Sequence, residues 1–250
     1  MAVNSPQLYL QVAGTNSTER GQHNRLQIVE WLFHWGFTSA PILQQLIGHQ
    51  SSGHAATLAK SGWLRQTKTE SGSPRYYYTL SEKGLELATK YAKVLYRYPE
   101  MDVYKVNQAL IRHHILAQQA TLNALQAGKI TGYQTERMID QEGDKLGEKK
   151  PDVVFMKDQL NIGVEIELSA KWDRKLDQFM MGIGHALATN RYQLFMIYSD
   201  SPAILERYQT ALHKPLKHWV KDDRGHWHTQ GEKLFPETKR SLVQFQLIKG

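Results

Sequence analysis

The sequence predicts a mixed α/β (α+β) chain in two parts, and three observations predict it. Before residue 62 there are three short runs of helical apolar spacing; two β-rich runs around a Gly-Pro turn and one closing helical run follow. Beyond residue 100, helical and strand-like runs alternate, the order that lays helices on a mixed sheet. Between these parts Tyr98-Pro99-Glu100 breaks a helix, because proline lacks an N–H and its ring clashes with the preceding turn. The expected divisions are a loose polar arm over residues 1–21, a first domain over 22–99 and a second over 100–250.

Each element of the first part has a local cause. Leu26, Ile28, Val29, Trp31, Leu32 and Trp35 form a helical stripe from Asn24 that stops at Gly36. Ser39-Ala40-Pro41 starts a second helix over Ile42 to Ile47, with serine as cap and proline in the first turn. Ser51 or Ser52 caps a third helix through Ala55, Leu58 and Ala59, ending near Gly62. Trp63 to Lys68 and Arg75 to Leu80 read as strands around the turn Glu70-Ser71-Gly72-Ser73-Pro74, and Ser81 opens a helix running to about Tyr96.

In the second part a long helix is expected from about Val103 to Ala127, carrying His113 and His114. A short mixed strand or turn follows over Lys129 to Ile139, then a charged loop over Gln141 to Lys150. That loop has two glycines but lacks the spacing of a phosphate loop. Val153 to Phe155 and Ile162 to Leu168 form a hairpin. A helix from Lys171 to about Ala188, a strand from Gln193 to Tyr198, a helix from Ser201 to His213 and C-terminal strands ending at Leu242 to Ile248 complete the sheet.

Composition narrows the function classes. The chain has 250 residues and no cysteine, which excludes disulfides, thiolate zinc sites and a cysteine nucleophile. No run reaches the length of a membrane span and no basic-then-apolar leader opens the chain, so a cytoplasmic protein is expected. The net charge of +7 favours a polyanionic partner, nucleic acid above all. Residues 1–100 carry +4 of it, the higher excess for their length.

The stretch from Lys150 to Lys171 carries the chemistry. Pro151-Asp152 opens one strand, and on the next Val164, Ile166 and Leu168 share one face while Gly163, Glu165 and Glu167 share the other. Carboxylates alternating with aliphatics ordinarily mark the wet face of a half-exposed strand. Here Asp152 ahead of an aliphatic run, the paired Glu165-x-Glu167, and Lys171 four residues later bring three carboxylates and a lysine toward one face. Like charges that close are unfavourable unless a hard cation neutralises them, which points to Mg²⁺ or Mn²⁺. Asp152 and Glu165 are the expected metal ligands, with the Ile166 carbonyl as a further oxygen.

Two resemblances follow from these residues. The three helices, hairpin and closing helix of residues 22–97, with Tyr78-Thr79-Leu80-Ser81-x-x-Gly84 at the hairpin's end, resemble the winged helix-turn-helix DNA-binding domain. On that likeness His49, Ser51, Ser52, His54, Thr57 and Lys60 face a major groove, while Arg65, Lys68 and Arg75 reach the phosphate backbone. Pro151-Asp152 and Glu165-Ile166-Glu167 resemble the PD-(D/E)xK, restriction-endonuclease-like nucleases. Glu136 then stands where some members add a helix-linked acid to the metal site. The usual final lysine of that motif is Glu167 here, so Lys171 or a second carboxylate takes its place, and the general base is either Glu167 or Lys171.

Taken together, the chain resembles MobC-type plasmid mobilisation relaxases and the related replication-relaxation proteins, over residues 22–200. The resemblance implies a bacterial, plasmid-encoded enzyme nicking one strand of locally opened duplex DNA at a transfer origin, with an accessory mobilisation protein. The second part carries only +3, and its carboxylates repel phosphate, so residues 101–250 alone are expected to keep their fold but lose site preference and most cleavage activity. A DNA-binding replication initiator or regulator with a silent nuclease-like domain is the alternative.

Other chemistry is weaker. Tyr133, three residues before Glu136, is a candidate nucleophile for a tyrosine-type relaxase, against a packing role. His226-Trp227-His228 has a His-hydrophobic-His form, but Asp222-Asp223-Arg224-Gly225 before it reads as a hairpin tip. Of His113 and His114 at most one lines a site, and Ser169-x-Lys171 has no supporting histidine spacing.

Overall fold

A computed structural model describes residues 16–48, 53–140 and 150–248. The chain is mixed α/β, and it divides into two compact units between Met138 and Ile139. Among the described residues no helix is long and apolar enough to cross a membrane.

The first unit begins with α1 (Ser17–Trp35), β1 (Thr38–Ser39), α2 (Ala40–Leu46) and α3 (Gly53–Lys60). It continues through β2 (Leu64–Lys68), β3 (Tyr76–Leu80) and α4 (Glu82–Tyr91). Helix α1 starts earlier than expected, so residues 16–21 are not part of an arm. The Asn16 side chain accepts a hydrogen bond from the Glu19 N–H at 2.9 Å, satisfying one of the orphan donors of the first turn. Its inner face buries Ile28, Val29, Trp31, Leu32, Phe33 and Trp35. Strand β1 is too short to have been visible in the sequence; it pairs antiparallel with β3, which also pairs with β2.

Helix α4 is capped as expected, with the Gly84 N–H donating to Ser81 Oγ at 3.1 Å. Gly84 is required by close approach: a Cβ there would lie 2.3 Å from the Trp63 carbonyl oxygen. Where one long helix was expected from Val103, the chain instead makes 3-10 turns at Pro99–Met101, Val103–Lys105 and Gln108–Leu110, and α5 (Ile111–Gln126) starts later. Asp102 and Asn107 cause this. Their side chains accept from the N–H groups of Tyr104 and Ala109, each at 3.1 Å, a local bond that competes with helix.

The first unit extends past the expected division at 99/100 because α5 is part of its core. Gln118 is fully buried and its amide is shared among three partners. Trp31 Nε1 and Thr38 Oγ1 donate to its Oε1 at 2.8 and 2.6 Å, and its Nε2 donates to the Phe37 carbonyl at 2.8 Å. Val106 and Ile111 pack with Phe37 and Tyr77. Strand β4 (Gly132–Thr135) and the start of α6 (Glu136–Asp140) end the unit.

The second unit holds β5 (Val153–Lys157), β6 (Leu160–Ile166), α7 (Asp173–Ala188), β7 (Leu194–Ser199) and α8 (Pro202–Ala211). Then come β8 (Pro215–Lys221), β9 (Trp227–Leu234), α9 (Glu237–Arg240) and β10 (Val243–Leu247). Its sheet runs β10-β7-β6-β5, antiparallel between β5 and β6 and parallel elsewhere. Parallel neighbours need a crossover, and α7 and α8 supply them. Phe179, Met180, Ile183 and Leu187 of α7 and Leu205 and Tyr208 of α8 form one core with Val154, Phe195 and Ile197 of the sheet. Among the described residues, strands β8 and β9 pair only with each other.

Candidate functional site

The β5–β6 hairpin sets the site. Its turn is tighter than the five-residue connection expected: Lys157 pairs with Leu160, and Asp158 takes a positive φ of 54° between them. That register pairs Val153 with Val164, and one step further the Asp152 N–H donates to the Val164 carbonyl at 3.0 Å. Asp152 therefore sits just ahead of β5, against Val164 and next to the strand that carries Glu165. The Asp152 carboxylate is aimed by a second bond, its Oδ2 accepting the Ile166 N–H at 2.7 Å.

Glu165 and Glu167 do not lie on a wet face. They are 3% and 4% exposed, because α7 and α8 cover the face they share with Val154 and Gly163. Glu167 is compensated on both oxygens. Lys171 Nζ donates to Oε1 as an ion pair, and the Tyr208 hydroxyl donates to Oε2 at 2.9 Å. A buried carboxylate needs such partners, since desolvation costs it several kcal/mol. The Lys171 ammonium also sits 4.6 Å from the centroid of the Phe179 ring. Burial, then the charge and hydrogen bond of Glu167, push the Tyr208 phenol far above its ordinary range, with a smaller contribution from Glu165. Tyr208 is a fixed donor here, not an acid.

Of the three carboxylates expected on one face, Glu167 is the one with an ion-pair partner of its own. Among the described residues no group of three or more His, Asp or Glu side chains is placed to hold a metal ion. Glu167 turns to Lys171 and Tyr208, leaving Asp152 and Glu165 as the other two carboxylates of this region. Two carboxylates remain a fitting donor set for Mg²⁺, which keeps several waters and ordinarily takes one or two protein carboxylates beside substrate phosphate.

Glu136 is the exposed first residue of α6, in the first unit. Tyr133 is 2% exposed, packed against Trp31 and Trp35, with its hydroxyl 3.1 Å from His34 Nδ1. Burial, then the nearby Arg137 charge, lower the His34 pKa to about 3. An imidazole so disposed does not act as a base near neutral pH, and the phenol it touches is out of solvent. Tyr133 is thus a packing residue, not the candidate nucleophile.

Of the residues expected on DNA, His49, Ser51 and Ser52 lie outside the described residues. His54 is half-buried on α3, while Thr57 and Lys60 are exposed there; the Thr57 hydroxyl donates back to the Gly53 carbonyl at 3.1 Å. Lys68 and Arg75 are exposed beside the β2–β3 turn. Arg65 is exposed too, yet its Nη1 donates to the Met101 carbonyl at 2.6 Å, so its first role is to hold the Pro99–Met101 turn. His226 and His228 are exposed on β8–β9, where Asp222 Oδ1 accepts from the Arg224 and His226 N–H groups and shapes the tip.

Sequence reasoning missed Tyr208, which lies 41 residues from Glu167 and carries no local mark. It also missed two exposed tryptophans capped by cations. Arg207 lies 3.2 Å from the centroid of Trp172, and Arg174 lies 4.5 Å from that of Trp227. No family model matches the chain, and no curated protein or solved structure matches it.

Proposed function

We propose that the chain is a divalent-metal-dependent DNA endonuclease, a nickase of the relaxase kind, whose first unit is a winged-helix DNA reader and whose second is PD-(D/E)xK-like. The observation that carries this is Asp152 at the open end of the β5–β6 hairpin, its carboxylate held by the Ile166 N–H, with the buried Glu165 and the Glu167–Lys171 pair on the adjoining strand and just beyond it. A buried acid such as Glu165 is costly to keep charged, and a bound cation would offset that cost.

Asp152 and Glu165 would hold Mg²⁺ or Mn²⁺, with the Ile166 carbonyl as a further oxygen. The bound metal supplies an activated water and neutralises charge developing on the phosphate. Lys171 balances Glu167 and stands ready to orient the water or the phosphate; Glu167, with both oxygens engaged, is the anchor for Lys171 more than a base. His49, Ser51, Ser52, His54, Thr57 and Lys60, with Lys68 and Arg75, would grip the duplex and give the +4 of residues 1–100 its use. The setting is the cytoplasm of a plasmid-bearing bacterium, the target a locally opened transfer origin, and the partner an accessory mobilisation protein.

The test is nicking of supercoiled plasmid in Mn²⁺. Asp152→Ala and Glu165→Ala should each lower the rate by about 100-fold or more, since several kcal/mol of charge stabilisation is removed, while duplex binding persists. Wild-type nicking by both variants would refute the assignment. Wild-type protein that binds duplex but never nicks would favour the regulator or replication initiator.

A further inference from the structure

The second unit carries a row of exposed aromatic and cationic side chains that the candidate site does not use. Trp172 follows Lys171 directly, is 59% exposed, and has Arg207 of α8 stacked on its ring. Two residues on, Arg174 in the first turn of α7 reaches to Trp227 of β9, which is 37% exposed, and Lys221 of β8 lies 5.1 Å from the same ring. Beside Trp172 a groove of about 500 Å³ runs between α7, α8 and β8, with Lys214 and Lys217 among its walls. Three acids also line it, Asp173, Asp177 and Glu206, of which Asp177 accepts the Trp219 Nε1–H at 2.8 Å. The groove itself is therefore balanced in charge, and the positive excess lies at the two exposed tryptophans.

We propose that Trp172 and Trp227, with Arg207, Arg174 and Lys221, form a platform for single-stranded DNA beside the candidate active site. An indole face offers stacking to any base, and a guanidinium already stacked on it pairs with phosphate without further ordering. Leaving two large indoles in water is unfavourable for a monomer surface, and capping each with a cation keeps the pair soluble while aiming both groups outward. A protein partner would be met better by a continuous apolar patch than by indoles each carrying an arginine. The choice of DNA rests on the nuclease reading above, because Trp172 directly follows Lys171, the partner of Glu167.

The experiment uses the full chain in EDTA with fluorescein-labelled dT20 and rU20, read by anisotropy. Trp172→Ala and Trp227→Ala should each weaken dT20 binding by about tenfold, the loss of one stacked base, and Trp172→Phe should restore most of it. Duplex binding should not change. In EDTA no metal-dependent cleavage takes place, so a failed nuclease assignment leaves this binding result standing. Undiminished dT20 binding in both alanine variants overturns the platform, as does the absence of measurable dT20 binding by the wild type. Preferential loss of rU20 binding instead would make the strand RNA and overturn the assignment to DNA.

Discussion

Two antiparallel hairpins of the second unit treat water in opposite ways. In β5–β6, Val153, Val154, Phe155, Val164 and Ile166 are at most 2% exposed, and two glutamates share their burial. In β9 every residue is exposed, and of β8 only Leu216 is buried. Composition does not separate the two, since both carry charges among apolar residues. The neighbours do. Strand β6 gains β7 on its outer edge and two helices on one face, whereas β8 and β9 pair with nothing else among the described residues and are tied down by Leu216 and the Trp219–Asp177 bond. A two-stranded ribbon alone is marginal in water. Charge inside the first hairpin thus costs free energy and must be compensated; charge on the second is solvated and costs almost nothing.

Three substitutions sharpen that contrast. The largest effect belongs to Gly163→Val in β6. A Cβ there would lie 2.6 to 2.9 Å from three atoms of the buried Phe195 ring, so added methyls overpack the core and should cost about 3 kcal/mol. Urea denaturation measures it, and a cost under about 0.5 kcal/mol would mean that this hairpin is no tighter than the other. Next is Tyr208→Phe, which keeps the ring and deletes the hydroxyl from Glu167. A lost hydrogen bond to a buried charge should cost about 2 kcal/mol, with the nicking rate reduced as Glu167 and Lys171 lose their fixed geometry. An unchanged melting curve would show that Glu167 needs no second donor. The smallest is His228→Gln on β9, expected within about 0.5 kcal/mol of wild type and without effect on nicking. A loss of nicking there would revive the His-x-His reading of residues 226–228.

Much of this organisation was legible in the residues. Alternation in β6, the Ser81 cap, the hairpin tip at Asp222 and the crossover helices all rest on local rules of spacing and capping. Illegible features have long-range or competing causes. Burial of Glu165 and Glu167 depends on α7 and α8, and a strand pattern alone reads as half-exposed when both faces will be covered. The 3-10 turns after Pro99 come from Asp102 and Asn107 outbidding a helical pattern. At the candidate site, Asp152, Glu165 and the Glu167–Lys171 pair were all named by sequence, while Tyr208 and the cation-capped tryptophans needed three-dimensional proximity.

Gln118 has a consequence for how this protein can be taken apart. One amide holds an indole, a hydroxyl and a carbonyl from the first forty residues, although it sits on a helix nearly twenty residues beyond the apparent joint at Pro99. A fragment of residues 101–250 would carry that amide away and leave Trp31, Phe37 and Thr38 facing the wound, so it is not a domain in its own right. Modular inheritance is subject to the same limit. A recombination event that borrowed the first unit for another protein would have to take α5 with it, and the seam along which the chain can be exchanged lies near Met138 rather than at the proline.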